Sequence, residues 1–157
     1  MTAQATVIRG LDDLAARIGQ PLGPSGAVEI TQERVDRFAD VTGDHQWIHV
    51  DVERAQAGPF GGTIAHGYLT LSLLPLLAKD VVRFEGFSAV INYGLDRVRF
   101  PTPARVGTSL RASAEVLSAE ETSRGVRAVV RYAVSDAASD DVVCVAEAVT
   151  LLVGSAS

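Results

Sequence analysis

Apolar residues recur at helical spacing over residues 11–18, with Leu11, Leu14 and Ile18 on one side, and predict a short first helix. Gly19, Pro21, Gly23, Pro24 and Gly26 then break the chain into a loop, and residues 27–30 read as a short strand. Thr31 is placed to cap a second helix with Val35, Phe38 and Ala39 as its buried face, and Gly43 is placed to end it. After a polar loop, Asp51 can cap another short helix through Ala57, which Gly58-Pro59-Phe60-Gly61-Gly62 stops. The pattern changes over residues 68–79. Leu69, Leu71, Leu73, Leu74, Leu76 and Leu77 leave no polar face, which predicts a helix buried on all sides, with Pro75 kinking it. The remainder alternates like strands: residues 87–93, 96–100, 110–116, 126–134 and 142–153, with hairpin loops at 118–123 and 135–141.

One buried helix followed by about five antiparallel strands predicts an α+β chain, with the sheet wrapped around a central buried helix as in the hotdog fold. Such a sheet has a long edge and one helix to cover it, so self-association is expected. No internal repeat or low-complexity linker divides the sequence, and residues 1–157 read as a single domain.

Composition narrows the functional classes. The chain of 157 residues is 47% hydrophobic and 21% charged with a net charge of −5, and no run of Lys or Arg follows one face, which argues against nucleic-acid binding. The first residues lack a basic region followed by a long apolar core, so no signal peptide is expected. The apolar run 69–78 is about half the ~20 residues that span a bilayer, so no membrane partner is expected. A single cysteine, Cys144, excludes an intrachain disulfide and fits a reducing cytoplasm; its place in an alternating strand makes it a core residue.

The three histidines all lie between positions 45 and 66. Asp44 and His49 flank a loop containing Trp47, whose indole can exclude water, and a carboxylate and an imidazole within reach of one water can activate it and return a proton. His66-Gly67 opens the leucine-rich helix. Free N–H groups there suit a developing oxyanion, and glycine permits close approach; a plain glycine turn with a capping histidine fits the spacing equally well. His45 and His49 are four apart, but the segment lacks the Glu of a zinc-protease motif, and Gly43 and Trp47 argue against a helix, so no metal site is expected. No phosphate loop or Gly-x-Ser-x-Gly elbow is present. Asn92, Tyr93 and Gly94 end a strand where they can line a cleft, with a structural use favoured.

The stretch Phe38-Ala39-Asp40-Val41-Thr42-Gly43-Asp44-His45-Gln46-Trp47-Ile48-His49-Val50-Asp51, followed by Gly61-Gly62-Thr63-Ile64-Ala65-His66-Gly67, resembles the hydratase motif of MaoC-like, (R)-specific enoyl-CoA hydratases. Asn92-Tyr93-Gly94-Leu95-Asp96-Arg97-Val98-Arg99-Phe100-Pro101 is similar to the NodN-like branch of that family. The resemblance covers roughly residues 28–110 and the strand pattern beyond. It implies a homodimeric hotdog protein, without cofactor, that adds water reversibly and syn to trans-2-enoyl thioesters of coenzyme A or acyl-carrier protein. Carried over, Asp44 and His49 hold and activate the water and manage the α-carbon proton, while the Gly67 amide polarises the thioester carbonyl. His66, Trp47, Asn92 and Gly94 are the further substrate-binding candidates. The chain departs from the family pattern in two places: Gln46-Trp47 stands where Asn-Pro is usual, and Pro75 falls where some members carry a supporting serine. Both bear on acyl-chain preference and rate. A hotdog thioesterase using a carboxylate-activated water and a non-catalytic acyl-binding protein are the competing expectations.

Overall fold

A computed structural model describes residues 4–154. Of the residues Met1 to Ala5, read for the absence of a leader, Met1 to Ala3 lie outside the described residues. The chain opens with β1 (Thr6–Arg9), α1 (Gly10–Ala16) and two short strands, β2 (Pro21–Leu22) and β3 (Val28–Glu29). Next come α2 (Gln32–Thr42), α3 (Trp47–Val50), α4 (Val52–Gln56), α5 (Gly67–Ser72) and α6 (Leu74–Ala78). Five strands complete it: β4 (Val82–Glu85), β5 (Ala89–Arg99), β6 (Ser109–Thr122), β7 (Gly125–Asp136) and β8 (Val142–Val153). The main sheet is antiparallel with the order β2-β6-β7-β8-β5, and β3 also pairs with β6.

Alternation along the long strands sends Leu110, Ala112 and Val116, then Ala128, Val130 and Val134, and finally Cys144, Ala146 and Leu152, into a single buried cluster. Leu69, Leu73, Leu74 and Leu77 from the helical layer join that cluster. This is the α+β arrangement expected from the sequence, with five differences of detail.

Residues 68–79 do not form one helix. It breaks at Leu73, and Pro75 lies in the first turn of α6, where its missing N–H costs no helical hydrogen bond. Nor is it buried on all sides: Tyr68 is 72% exposed, and Ser72, Pro75, Leu76 and Lys79 are also exposed, because the sheet covers one face only. The two strands expected at 87–93 and 96–100 are the single strand β5, paired along its length with β8 through irregularities near Asn92 and Leu95. The hairpin expected at 118–123 is shorter, since β6 and β7 continue their pairing to Thr122 and Gly125. A parallel pair, β1 with β4, has no counterpart in the expectation.

Candidate active site

The local chemistry of α2 delivers the chain to the site. Thr31 Oγ1 accepts the Arg34 N–H at the N-terminus, and Gly43, left-handed at φ 78°, closes the C-terminus by donating its N–H to Ala39 O at 2.8 Å. Asp44 follows at once, exposed, with Oδ1 accepting the Gln46 N–H at 3.4 Å. The segment expected to be a loop then makes one helical turn, α3, which begins beyond His45. His45 and His49 therefore do not share a helical face. His45 turns outward, with Nε2 2.9 Å from Asp40 Oδ1, and this hydrogen bond raises its pKa.

His49 is 6% exposed. Its Nδ1 lies 2.7 Å from the carbonyl oxygen of Ile64, which can only accept, so Nδ1 carries the proton and Nε2 holds the lone pair. Burial lowers the His49 pKa; the Ile64 bond pulls it back up, His66 lowers it further and Asp44 raises it. The main chain is clamped as well. Gln32 Nε2 donates to His49 O at 2.7 Å and to Asp36 Oδ1 at 2.8 Å, while Gln32 Oε1 accepts from Thr63 Oγ1 at 2.6 Å. The Ile64 N–H donates to Ile48 O at 3.0 Å, so the strip carrying Thr63 and Ile64 is tied to the turn carrying His49 on both sides.

His66 is buried and stacks on His49, with ring centroids 3.8 Å apart and an interplanar angle of 26°. Its Nε2 donates to the main-chain oxygen of Asp44 at 2.9 Å, and its buried Nδ1 has no partner among the described residues. Gly67 opens α5 beside it. A cavity of about 360 Å³ is lined by His49, Gly67, Thr70, Phe100 and Thr102, among others. A side chain at Gly67 would place its Cβ 2.9 Å from the Phe100 ring, so any larger residue here must push that ring aside.

Asp44, His49 and His66 each offer one potential metal-ligand atom within 4.8 Å of the others. The set does not suit one ion. An imidazole coordinates along its own ring plane, and two stacked, nearly parallel rings do not aim their lone pairs at a common point. One nitrogen of each ring is also engaged with a carbonyl.

The remaining candidates lie elsewhere. The Trp47 indole is braced against Gly58, with Arg54 4.3 Å above its ring, and does not line the His49 cavity. Asn92, on the edge strand β5, lines a different cavity of about 440 Å³ with Tyr132, Thr150 and Pro75. Gly94 sits at the β5 irregularity and lines neither cavity. Gln32, Thr63, Phe100 and Thr102 were not anticipated. Gln32 directly follows a capping threonine and reads as an ordinary first-turn residue, and nothing in the sequence signals its reach across seventeen positions to His49 O.

Residues 13–138 match the family described as the MaoC like domain. The chain is 51% identical over 138 residues to 3-hydroxyacyl-thioester dehydratase Z of Mycobacterium tuberculosis, covering 87% of this chain and 91% of that protein. It is 49% identical over 108 residues to nodulation protein N of Rhizobium leguminosarum bv. viciae, covering 64% of each. Among solved structures, the R-hydratase PhaJ1 from Pseudomonas aeruginosa superposes with a TM-score of 0.69 at 27% identity, over 86% of this chain and 81% of that one. The antiparallel sheet, its helical layer and these similarities together make this a hotdog protein, and the chain belongs to the MaoC-like dehydratase domain family.

Proposed function

We propose that this chain is an (R)-specific enoyl-CoA hydratase, acting in reverse as a 3-hydroxyacyl-thioester dehydratase, with Asp44 and His49 as its catalytic pair. The observation that carries this reading is the buried His49, its Nδ1–H spent on Ile64 O so that the lone pair falls to Nε2, in a ring with one nitrogen within 4.8 Å of an Asp44 carboxylate oxygen. Lowered basicity keeps that imidazole neutral at pH 7, as a base must be before it accepts a proton. In the hydration direction Asp44 accepts one hydrogen of the water and orients it. His49 Nε2 takes the other hydrogen as the water oxygen bonds to Cβ, and the C=C electron pair moves to Cα and the thioester carbonyl. The Gly67 N–H, at the start of α5, stabilises the enolate oxygen. The imidazolium then returns its proton to Cα. Hydroxyl and hydrogen arrive from one face, so addition is syn and His49 ends as it began.

The substrate is an acyl thioester of coenzyme A or acyl-carrier protein. The protein works as a homodimer: β5 is an eleven-residue edge strand, and its Val90, Ile91, Tyr93 and Leu95 are exposed alongside Tyr68 and Leu76. No helix among the described residues is long and apolar enough to cross a membrane, and a buried, unpaired Cys144 fits work in the reducing cytoplasm.

The test is loss of enoyl absorbance when purified protein meets crotonyl-CoA and longer enoyl-CoAs, with a thiol-reactive dye present. Hydration without thiol release is expected, falling about 10²–10⁴-fold in Asp44→Asn and His49→Gln. Full activity in either variant overturns the assignment, and thiol release would establish a thioesterase instead.

A further inference from the structure

Asp44 carries half of the proposed chemistry but has little of its own to hold it. It sits exposed on the short link between α2 and α3, and its local contacts are long: 3.5 Å from its N–H to Thr42 Oγ1, and 3.4 Å from Gln46 N–H to Oδ1. Among the described residues, the one short bond to its main chain comes from 22 residues away, where His66 Nε2 donates at 2.9 Å. The same imidazole lies flat against His49 at 3.8 Å. It is itself well fixed, with Phe38 at 5.0 Å on another side and its main-chain oxygen accepting the Thr70 N–H at 3.1 Å as α5 begins.

We propose that His66 is a positioning residue rather than a substrate contact: one ring that holds the Asp44 main chain and the His49 imidazole in a fixed mutual placement. The proposal rests on the hydratase reading of Asp44 and His49. The orphaned Nδ1 supports it. A residue serving only to fill this space would do better as phenylalanine, because a buried ring nitrogen without a partner is costly. Retaining an imidazole here is explained by what its other nitrogen holds. A donor is also required at that position, since the group it meets is a carbonyl oxygen.

Three substitutions separate the bond from the stack. His66→Phe keeps an aromatic face on His49 and removes the donor. His66→Gln places an amide N–H near the former Nε2 and removes the ring. His66→Asn is too short to reach Asp44 O. All are assayed beside wild type and Asp44→Asn for kcat and KM in enoyl-CoA hydration, with thermal midpoints recorded. The expected result is a fall in kcat of roughly 10- to 100-fold in His66→Phe and His66→Asn with KM little changed, the scale of a misplacement near 1 Å. His66→Gln should recover much of that loss even where its thermal midpoint is lower. A purely packing role predicts the reverse order, with His66→Phe the best of the three, and that order overturns the proposal. An increase in KM with unchanged kcat would make His66 a substrate contact and overturn it as well. If His66→Phe fails to fold, the comparison of His66→Gln with His66→Asn decides. A wild-type protein without hydratase activity, or a fully active Asp44→Asn, defeats the underlying reading instead.

Discussion

Replacing Gly67 by alanine adds one methyl group at the most crowded point of the site. That carbon would lie 2.9, 3.0 and 3.0 Å from three atoms of the Phe100 ring. Carbon atoms rest at about 3.5–4.0 Å, so the ring must retreat by roughly 0.5–1 Å. Phe100 is 42% exposed and can give way, which holds the loss of stability to about 1 kcal/mol, the low end for overpacking. For a chain of this size that is a fall of roughly 2–4 °C in thermal midpoint. The catalytic consequence is larger. Phe100 and Gly67 line the same cavity as His49, and a displacement near 1 Å among such groups can cost on the order of 100-fold in rate. Thermal unfolding and enoyl-CoA hydration are to be measured for Gly67→Ala, Phe100→Ala and the double variant. If contact with Phe100 is the cause, the added methyl costs far less in the Phe100→Ala background, with a coupling of about 1 kcal/mol in stability. Equal losses from Gly67→Ala in both backgrounds would refute this account and point to the ligand's own approach to the amide.

Three further outcomes are expected. Because burial holds the His49 pKa below its ordinary value of about 6.5, kcat/KM should stay level through neutral pH and decline only on the acid side of that value. A midpoint at or above it contradicts the burial argument. The sign for stability is the same, since a histidine that binds its proton less readily when folded contributes above its unfolded pKa and loses that contribution as pH falls through the folded one. Gln32→Leu strips partners from His49 O and Thr63 Oγ1, and should cost about 1–3 kcal/mol in chemical denaturation and lower kcat; an unchanged kcat would show that the clamp does not position His49. Cys144, fully buried with its thiol pKa pushed up to about 11, should react with thiol reagents only as fast as the protein unfolds, and rapid stoichiometric labelling of the native protein would contradict this.

What could be read from the sequence was what local chemistry decides. Thr31 and Gly43 bound α2 because a cap and a left-handed glycine act within a few residues, and Asp51 marks α4 for the same reason. Asp44, His49 and Gly67 could be singled out because acid, imidazole and glycine stand close along the chain. The break at Leu73 was missed because a leucine run carries no sign of which face the sheet will cover, and the β1–β4 pair because its strands are more than seventy residues apart. Gln32 and Phe100 acquire their roles only through contacts made by folding. The division of labour among the histidines also needed three dimensions, since the His49–His66 stack spans seventeen positions.

That stack limits how much charge the site can hold. Two unit charges at the 3.8 Å separation of the rings repel by roughly 4 kcal/mol at an effective dielectric constant of 20. The nearness of the second ring is thus one of the reasons His49 binds its proton less readily than a free imidazole does. In the proposed reaction that proton is taken from water in one direction and from Cα in the other, so a grip weakened by the neighbouring ring eases its release in both.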